Sequence, residues 1–112
     1  PPQKVPTPVT HISLNSLAGF TKSRAIIVTT ALTPLPDEIL AYRRSIIVYN
    51  NSSTLTLFIG GSDVTEINGM PVPPLSYSPA IDAGPKMVVY GVVSSGSADV
   101  RTLELSDENS GR

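Results

Sequence analysis

The chain contains no cysteine, no tryptophan, a single histidine and few charged residues of either sign. Without cysteine, disulfide bonds, thiol catalysis and cysteine-based zinc sites are excluded. Because only 15% of the 112 residues are charged and the net charge is −1, neither nucleic acid nor a membrane is expected as a partner. No apolar run approaches the roughly 18 residues that a membrane-spanning helix requires. Packing or assembly must therefore stabilise this small chain.

The titratable residues form no pattern typical of an active site. His11 lies beside a proline-rich segment that does not fix its orientation, so a Ser/His/Asp triad is not expected. The carboxylates Asp63, Glu66, Asp82 and Asp99 show no spacing that would pair two of them across a cleft, as glycosidases require. A calcium loop needs a denser set of oxygen ligands than Asp63 and Glu66 supply. We therefore predict a protein that is not an enzyme and that binds no cofactor and no metal.

Proline is the residue in excess, with 11 copies. Proline fixes φ and removes a backbone donor, so it excludes long helices and central strands where it occurs. Residues 1–10 are predicted to form an extended, polyproline-like arm, which is either a disordered tail or an arm lying along a neighbouring subunit. Residues 70–75 are predicted to form an edge strand or a loop wall, because their prolines donate no hydrogen bond to a sheet.

Short runs of β-branched and aromatic residues alternate with turns along the rest of the chain. The predicted strands are residues 24–31, 45–49, 54–59, 63–67, 76–81, 86–93 and 98–105, and one helical turn is predicted at 37–42. Six to eight short strands spaced about ten residues apart predict an all-β fold, an antiparallel β-sandwich or jelly-roll-like barrel. The predicted domain covers residues 11–105, and residues 106–112 form a polar C-terminal tail.

Three strand patterns carry finer predictions. Residues 45–49 are apolar on both faces, which predicts a central strand covered on both sides. Residues 54–59 alternate so that Phe58 lies opposite the apolar face, where it is either covered by a second layer or exposed for a partner. In residues 98–105 the alternation slips near Thr102, which is typical of a β-bulge. Asp99 and Arg101 share one face of that strand and are predicted to form a modest surface ion pair.

Asn68-Gly69 is predicted to form a tight hairpin turn, because both central positions of such a turn need positive φ.

The order of several blocks in the chain resembles a module of tailed-phage virion proteins. The blocks are residues 43–52 (RRSIIVYNNS), 57–65 (LFIGGSDVT), Asn68-Gly69 with the proline-rich loop after it, 89–96 (VYGVVSSG) and 98–101 (ADVR). The resemblance covers residues 40 to 105 and is to capsid decoration (cement) proteins, head fibres and related accessory proteins. It implies a non-enzymatic virion protein with a β-sandwich fold, often a trimer, on the outside of the phage head. The family supplies no catalytic residues.

We therefore expect a capsid decoration protein that clamps neighbouring major capsid subunits and stabilises the shell. Its expected partners are the major capsid protein and copies of itself, as a homotrimer. The expected contact residues belong to the arm, to the 70–75 loop, to two arginines and to one aromatic: Pro1, Pro2, Val5, Pro6, Pro8, Val9, Arg43, Arg44, Phe58, Met70, Pro71, Val72, Pro73 and Pro74. The alternative is a receptor- or carbohydrate-binding module of a phage fibre, because β-sandwiches host such sites readily. The shortage of aromatic platforms favours clamping.

Overall fold

The computed structural model describes residues 19–107, so the predicted arm at residues 1–10 lies outside the described residues. The described chain consists of strands and turns, with no helix within these residues. The strands are β1 (Thr21–Val28), β2 (Thr33–Pro34), β3 (Arg43–Asn50), β4 (Leu57–Gly60), β5 (Met70–Val72), β6 (Ser76–Tyr77), β7 (Ile81–Asp82), β8 (Tyr90–Val92) and β9 (Ala98–Ser106). The predicted all-β fold is confirmed.

Two antiparallel sheets form the body. The five-stranded sheet has the order β1-β9-β3-β6, with β7 also pairing with β3, and the four-stranded sheet has the order β2-β8-β4-β5. The three long strands β1, β9 and β3 are paired over most of their length and form the rigid part of the larger sheet. As expected, β3 is a central strand, and the proline-containing β5 lies at the edge of the smaller sheet.

The core lies between the inner faces of the two sheets, as in a β-sandwich. Alternate residues of β3 and β9, such as Ile46, Val48 and Val100, are fully buried. They form one cluster with apolar residues of the smaller sheet, of which Leu57 and Val72 are examples. Apolar residues recur at every second position of these strands because successive side chains point to opposite faces, and one face is buried in the core.

The structure differs from the sequence-based predictions mainly in the segments that connect the strands. The predicted helical turn at 37–42 is a series of bends and turns, and the predicted strand at 63–67 is a turn. Two predicted strands are shorter than expected, because residues 54–56, 86–89 and 93 are not part of a strand, and the predicted strand at 76–81 is divided into β6 and β7. Ser106, placed in the tail by the sequence, is the last residue of β9 and is buried.

The predicted tight turn at Asn68-Gly69 is wrong, because neither residue has positive φ. Residues 61–69 together connect β4 to β5, and the side chain of Asn68 organises them. Its Oδ1 accepts a hydrogen bond from Thr65 N at 2.7 Å, and its Nδ2 donates to Asp63 O at 3.2 Å. Gly69 is needed for close packing instead, since a Cβ at this position would lie 2.7 Å from Cβ of Phe58.

The predicted bulge near Thr102 is also wrong. The pairing of β9 with β1 and β3 runs without interruption through this residue, and the register shift occurs in β3 between Arg43 and Ser45. The side chains of β9 alternate regularly between the two faces of the sheet. The apparent slip in the sequence arises because polar residues occupy inner positions and leucine occupies an outer one. Thr102 and Glu104 are buried on the inner face, and Leu103 lies on the outer face.

Candidate binding surface on the five-stranded sheet

The outer face of the five-stranded sheet carries a shallow open groove of about 600 Å³. We call it the outer groove. It runs across β1, β9, β3 and β6, and the outward-facing side chains that line it are those of Ser23, Ala25, Ile47, Tyr49, Tyr77, Arg101 and Leu103. Most of these groups are apolar or aromatic. The groove therefore presents a surface suited to binding rather than a set of reactive groups.

The strand register sets these side chains in rows. Ala25 is paired with Arg101, Arg101 with Tyr49, and Tyr49 with Tyr77, so one row crosses four strands. Because neighbouring strands lie about 4.8 Å apart, this row is about 14 Å wide. A second row, two residues along the strands, places Leu103 between Ser23 and Ile47. The groove is thus fixed by backbone pairing of long strands and not by loops.

Tyr49 and Tyr77 form the aromatic end of the groove. Their ring centroids lie 4.5 Å apart with an angle of 46° between the ring planes. Tyr49 is half-buried. Tyr77 remains 73% exposed despite its contact with Tyr49. Tilted aromatic pairs of this kind are favourable beyond the area that they bury. The pair therefore holds an open tyrosine ring in a defined orientation.

Arg101 of this row forms a compensated ion pair with Asp99, which lies two residues before it on β9. Arg101 Nη2 lies 2.8 Å from Asp99 Oδ2, which also accepts a hydrogen bond from Asn51 Nδ2 at 2.9 Å. The hydrogen bond from Arg101, followed by the one from Asn51, lowers the pKa of the Asp99 carboxyl below its usual value. The Asp99 carboxylate in turn raises the pKa of Arg101. The predicted pair is confirmed, and it adds polar groups to the surface without adding net charge.

The outer face continues beyond the groove as an apolar surface. Ile27, at the end of β1, is 59% exposed, and Leu103 in the middle of the sheet is 38% exposed. The prediction that residues 45–49 are covered on both sides holds only for the inner face, where Ile46 and Val48 are fully buried. Ile47 and Tyr49 on the outer face are half-buried, because within residues 19–107 no second layer covers them.

Arg43 does not lie where a partner contact was expected. Its guanidinium is buried under the sheet, where Nη1 lies 3.0 Å from Oε2 of Glu104, a residue with no exposed surface. Arg43 Nε also donates to Ala83 O at 3.0 Å. Glu104 is further held by Arg24 Nε at 3.4 Å and by the backbone N–H of Leu40 at 3.0 Å. Since these intramolecular bonds occupy the guanidinium, Arg43 is removed from the predicted contact residues.

The other predicted contact residues divide by burial. Arg44, Met70, Pro71 and Pro73 are exposed, whereas Phe58 and Pro74 are half-buried. Phe58 pairs with Pro71 of β5 and Val92 of β8, on the outer face of the smaller sheet.

Val72 is a core residue and is also removed from the predicted contact residues. The arm residues Pro1, Pro2, Val5, Pro6, Pro8 and Val9 lie outside the described residues.

The sequence-based set of contact residues missed the outer groove. Two signals in the sequence pointed to it: the apolar run Ile46–Tyr49, which has no polar face, and the leucines at 103 and 105, which break the alternation of β9. Taken alone, each signal indicates only a local irregularity. Only the pairing of β9 between β1 and β3 shows that both signals fall on one face.

No chemical site competes with this surface in the described part of the chain. Within residues 19–107, no group of three His, Cys, Asp or Glu side chains is placed to hold a metal ion. The same residues contain no helix long and apolar enough to cross a membrane. Comparisons of the chain with protein-family models, with curated proteins and with solved structures find no match. Within residues 19–107 the outer groove is therefore the strongest candidate for a functional surface.

Proposed function

We propose that this protein is a non-enzymatic capsid decoration protein of a tailed phage. It binds the outer surface of the head and clamps neighbouring major capsid subunits. The observation that carries the proposal is the open apolar face of the five-stranded sheet, built on three long paired strands. A rigid body with an uncovered apolar face gains free energy when that face is buried against a partner, at about 25 cal/mol per Å². The resemblance of residues 40–105 to virion accessory proteins specifies the kind of partner.

A second exposed apolar surface lies on the smaller sheet. Ile67, in the connection between β4 and β5, is 93% exposed, and Met70 at the start of β5 is exposed as well. Pro71 and Pro73 beside them are exposed and stiffen this edge. The sequence predicts residues 70–74 as contact residues, and the exposure of Met70, Pro71 and Pro73 leaves that proposal in place.

The two surfaces lie on different sheets of the sandwich. One molecule is therefore able to touch two neighbours at once, which is what a clamp requires. Bridging two subunits opposes their separation, because the subunits cannot move apart until one of the two contacts has been broken. In this proposal the partners are the major capsid protein and further copies of the chain in a homotrimer. The protein works on the outer surface of the head.

The alternative is a receptor- or carbohydrate-binding module of a phage fibre, and one observation favours it. Tyr77 presents an open ring, and the ion pair Asp99–Arg101 lies in the same region of the sheet. An aromatic ring beside charged hydrogen-bonding groups is a surface on which a sugar ring can stack and form hydrogen bonds. This reading assigns the outer groove to a glycan instead of a protein.

Co-sedimentation with phage heads that lack the protein separates the two readings. The decoration proposal predicts that the full chain pellets with heads and saturates at a fixed number of copies. It also predicts that Tyr77→Ser, which changes the groove, and Met70→Ser, which changes the β5 edge, each weaken binding at least tenfold. Met87→Ser, at an exposed position outside both surfaces, is the matched control and keeps full binding. A chain that ignores heads, and whose binding to host surface glycans is lost in Tyr77→Ser, overturns the proposal in favour of the alternative.

A further inference from the structure

We propose that the outer groove binds residues 5–9 of a second copy of this chain. The inference deepens the proposed function and rests on it, since it names what fills the groove when copies meet on the shell. Residues 5–9 read Val-Pro-Thr-Pro-Val, a short segment with valine at both ends and two prolines between them. The groove and the segment match in shape, in chemistry and in reach.

The shape of the groove selects an extended segment. Its floor is the pleated face of a sheet, which is shallow and about 14 Å wide at the row that ends at Tyr77. A helix, which is about 10 Å across, would touch such a floor along one line of side chains only. An extended chain lies flat on it and places alternate side chains against the floor. Pro6 and Pro8 keep the segment extended, because each fixes its own φ and restricts the residue before it.

The chemistry of the groove suits valine and proline. Ala25, Ile47 and Leu103 supply an aliphatic floor, and the tilted pair of Tyr49 and Tyr77 supplies an aromatic wall. Proline-rich segments in the polyproline conformation dock in aromatic-lined grooves, and they lose little conformational entropy when they bind because they are already extended. The ion pair Asp99–Arg101 is internally compensated, so a segment without charged side chains meets no unpaired charge there.

The length of chain before β1 gives the segment sufficient reach. Eighteen residues precede Gly19, and Val9 is ten residues before it. At about 3.1 Å per residue in the polyproline conformation, ten residues span about 31 Å. This is about twice the width of the groove, so the chain between Gly19 and residues 5–9 is long enough to span the distance to a neighbouring copy. They reach a neighbour whose groove lies within that distance of Gly19.

The direction in which the chain enters β1 favours a neighbour over the groove of the same copy. Phe20 N donates to Ser106 Oγ at 3.0 Å, and Ser106 N donates to Phe20 O at 2.9 Å, so Phe20 continues β1 to the very end of β9. The groove lies in the other direction, beside Ser23 and Ala25. A segment on its own groove would have to reverse its direction and cross back over β1.

Exchange of arms between copies has a simple structural consequence. Each copy donates one segment and receives one in its outer groove, and such head-to-tail contacts close into a ring when the rotation between copies allows it. The apolar face, which residues 19–107 leave open, is then covered. Clamping thus occurs between decoration molecules as well as between them and the shell.

Spin labelling of the full chain tests the inference directly. Because the chain has no cysteine, Thr7→Cys accepts a single nitroxide label in the middle of the segment. Labelled protein without ¹⁵N is mixed with unlabelled ¹⁵N protein, so that only contacts between copies broaden the amide signals. We expect the signals of Ser23, Tyr77 and Leu103 to lose more than half of their intensity. A label at Ser110→Cys, in the C-terminal tail, is the control and leaves these signals unchanged.

A second pair of variants separates loss of docking from loss of folding. Val5→Ser with Val9→Ser changes the segment and leaves residues 19–107 untouched, whereas Tyr77→Ser changes the groove. Both are expected to reduce the broadening at least fivefold while the other amide signals of the sheet keep their positions. The inference is overturned if no groove signal broadens. It is also overturned if broadening appears only when label and ¹⁵N are on the same chain, since the arm then folds back on its own copy.

Binding to heads, measured on the same variants, keeps the inference apart from the proposed function. If the Thr7→Cys label broadens no groove signal in a chain whose segment and groove are otherwise unchanged, and that chain still saturates heads, the arm contact alone is overturned. Broadening between copies of a chain that does not bind heads overturns the proposed function alone.

Discussion

The two faces of the five-stranded sheet differ in what they enclose: the inner face buries a charged pair within its apolar core, and the outer face leaves several apolar side chains open. The inner face of β9 buries Thr102 and Glu104, and the outer face of the same strand presents Leu103 to solvent. On β3 the buried Arg43 faces Glu104, while Ile47 and Tyr49 lie half-buried outside. A charged pair is thus enclosed, and apolar side chains are left open. The inner arrangement specifies the fold, and the outer arrangement provides a surface for association.

The difference follows from what each face has as a neighbour. The inner carboxylate of Glu104 is bonded to two arginines and to the Leu40 N–H, so its burial is compensated within the chain. The outer leucine and tyrosines have no second layer within residues 19–107. Apolar groups gain free energy only when another surface covers them. The comparison therefore predicts that inner substitutions act on stability and outer substitutions act on association.

The largest expected effect comes from breaking the inner pair. Glu104→Gln leaves the buried guanidinium of Arg43 without its countercharge, and removal of one partner of a buried ion pair costs about 3–5 kcal/mol of unfolding free energy. Urea unfolding measures this loss. Glu38→Gln is the matched control, because Glu38 is exposed and lies at 4.0 Å from Arg24, and it should change the unfolding free energy by less than about 0.5 kcal/mol. A change below about 1 kcal/mol in Glu104→Gln would refute the assigned role of the pair.

A second large effect tests the close packing at the β4–β5 connection. In Gly69→Ala the added Cβ would lie 2.7 Å from Cβ of Phe58 and 2.8 Å from Thr65 O, so the backbone must shift. Overpacking of this kind costs about 1–3 kcal/mol, measured as a lower urea midpoint. Gly84→Ala is the control, because a Cβ added at Gly84 would have no atom within 4 Å. Equal stability of the two variants would mean that Gly69 is not packed as described.

The outer face should respond in the opposite way. Ile27→Ser removes exposed apolar surface and should change the unfolding free energy by less than about 0.5 kcal/mol. Tyr77→Ser also removes the ring contact with Tyr49 and should cost about 1 kcal/mol, still well below the loss expected for Glu104→Gln. The same variants should weaken self-association and binding to heads at least tenfold. Analytical ultracentrifugation across a concentration series, beside urea unfolding, measures both quantities. If the two variants unfold early and still associate normally, then the assignment of roles to the two faces is reversed.

The smallest effect concerns the ion pair on the outer face. The pKa of Asp99 is lowered in the folded chain, so the pair contributes stability above the unfolded pKa of about 3.9 and loses it as the pH falls through the lower folded value. Asp99→Asn should therefore reduce the fall in urea midpoint between pH 5 and pH 2. The effect should shrink in high salt, because both groups are exposed to screening. Parallel pH profiles of the two proteins would contradict the assigned ion pair.

The sequence predicted the elements whose cause is local. Alternation placed Leu57 and Ile59 inside, proline placed residues 70–72 at an edge, and the spacing of two residues placed Asp99 beside Arg101. These features depend on strand periodicity, on backbone donors and on neighbouring positions. They need no knowledge of which strands pair.

The features that the sequence did not predict depend on pairs distant along the chain. Arg43 was expected on the surface because its partner Glu104 is 61 residues away. Tyr49 and Tyr77 meet only because β6 pairs with β3, and the outer groove exists only because β9 lies between β1 and β3. The predicted turn at Asn68-Gly69 was wrong for a related reason. Glycine is required at position 69 because Phe58 packs closely against it, and not because of a positive φ.

Hydroxyl-radical footprinting of the protein, free and bound to heads, shows whether the outer face is covered when the protein works. Tyr77 and Leu103 are exposed in the single chain and should be oxidised there. On heads, we expect the oxidation of both residues to fall at least fivefold, while Met87, outside the proposed contacts, keeps its rate. Equal oxidation of Tyr77 and Leu103 in the free and bound protein would mean that the outer face stays open on the shell and is not a contact surface.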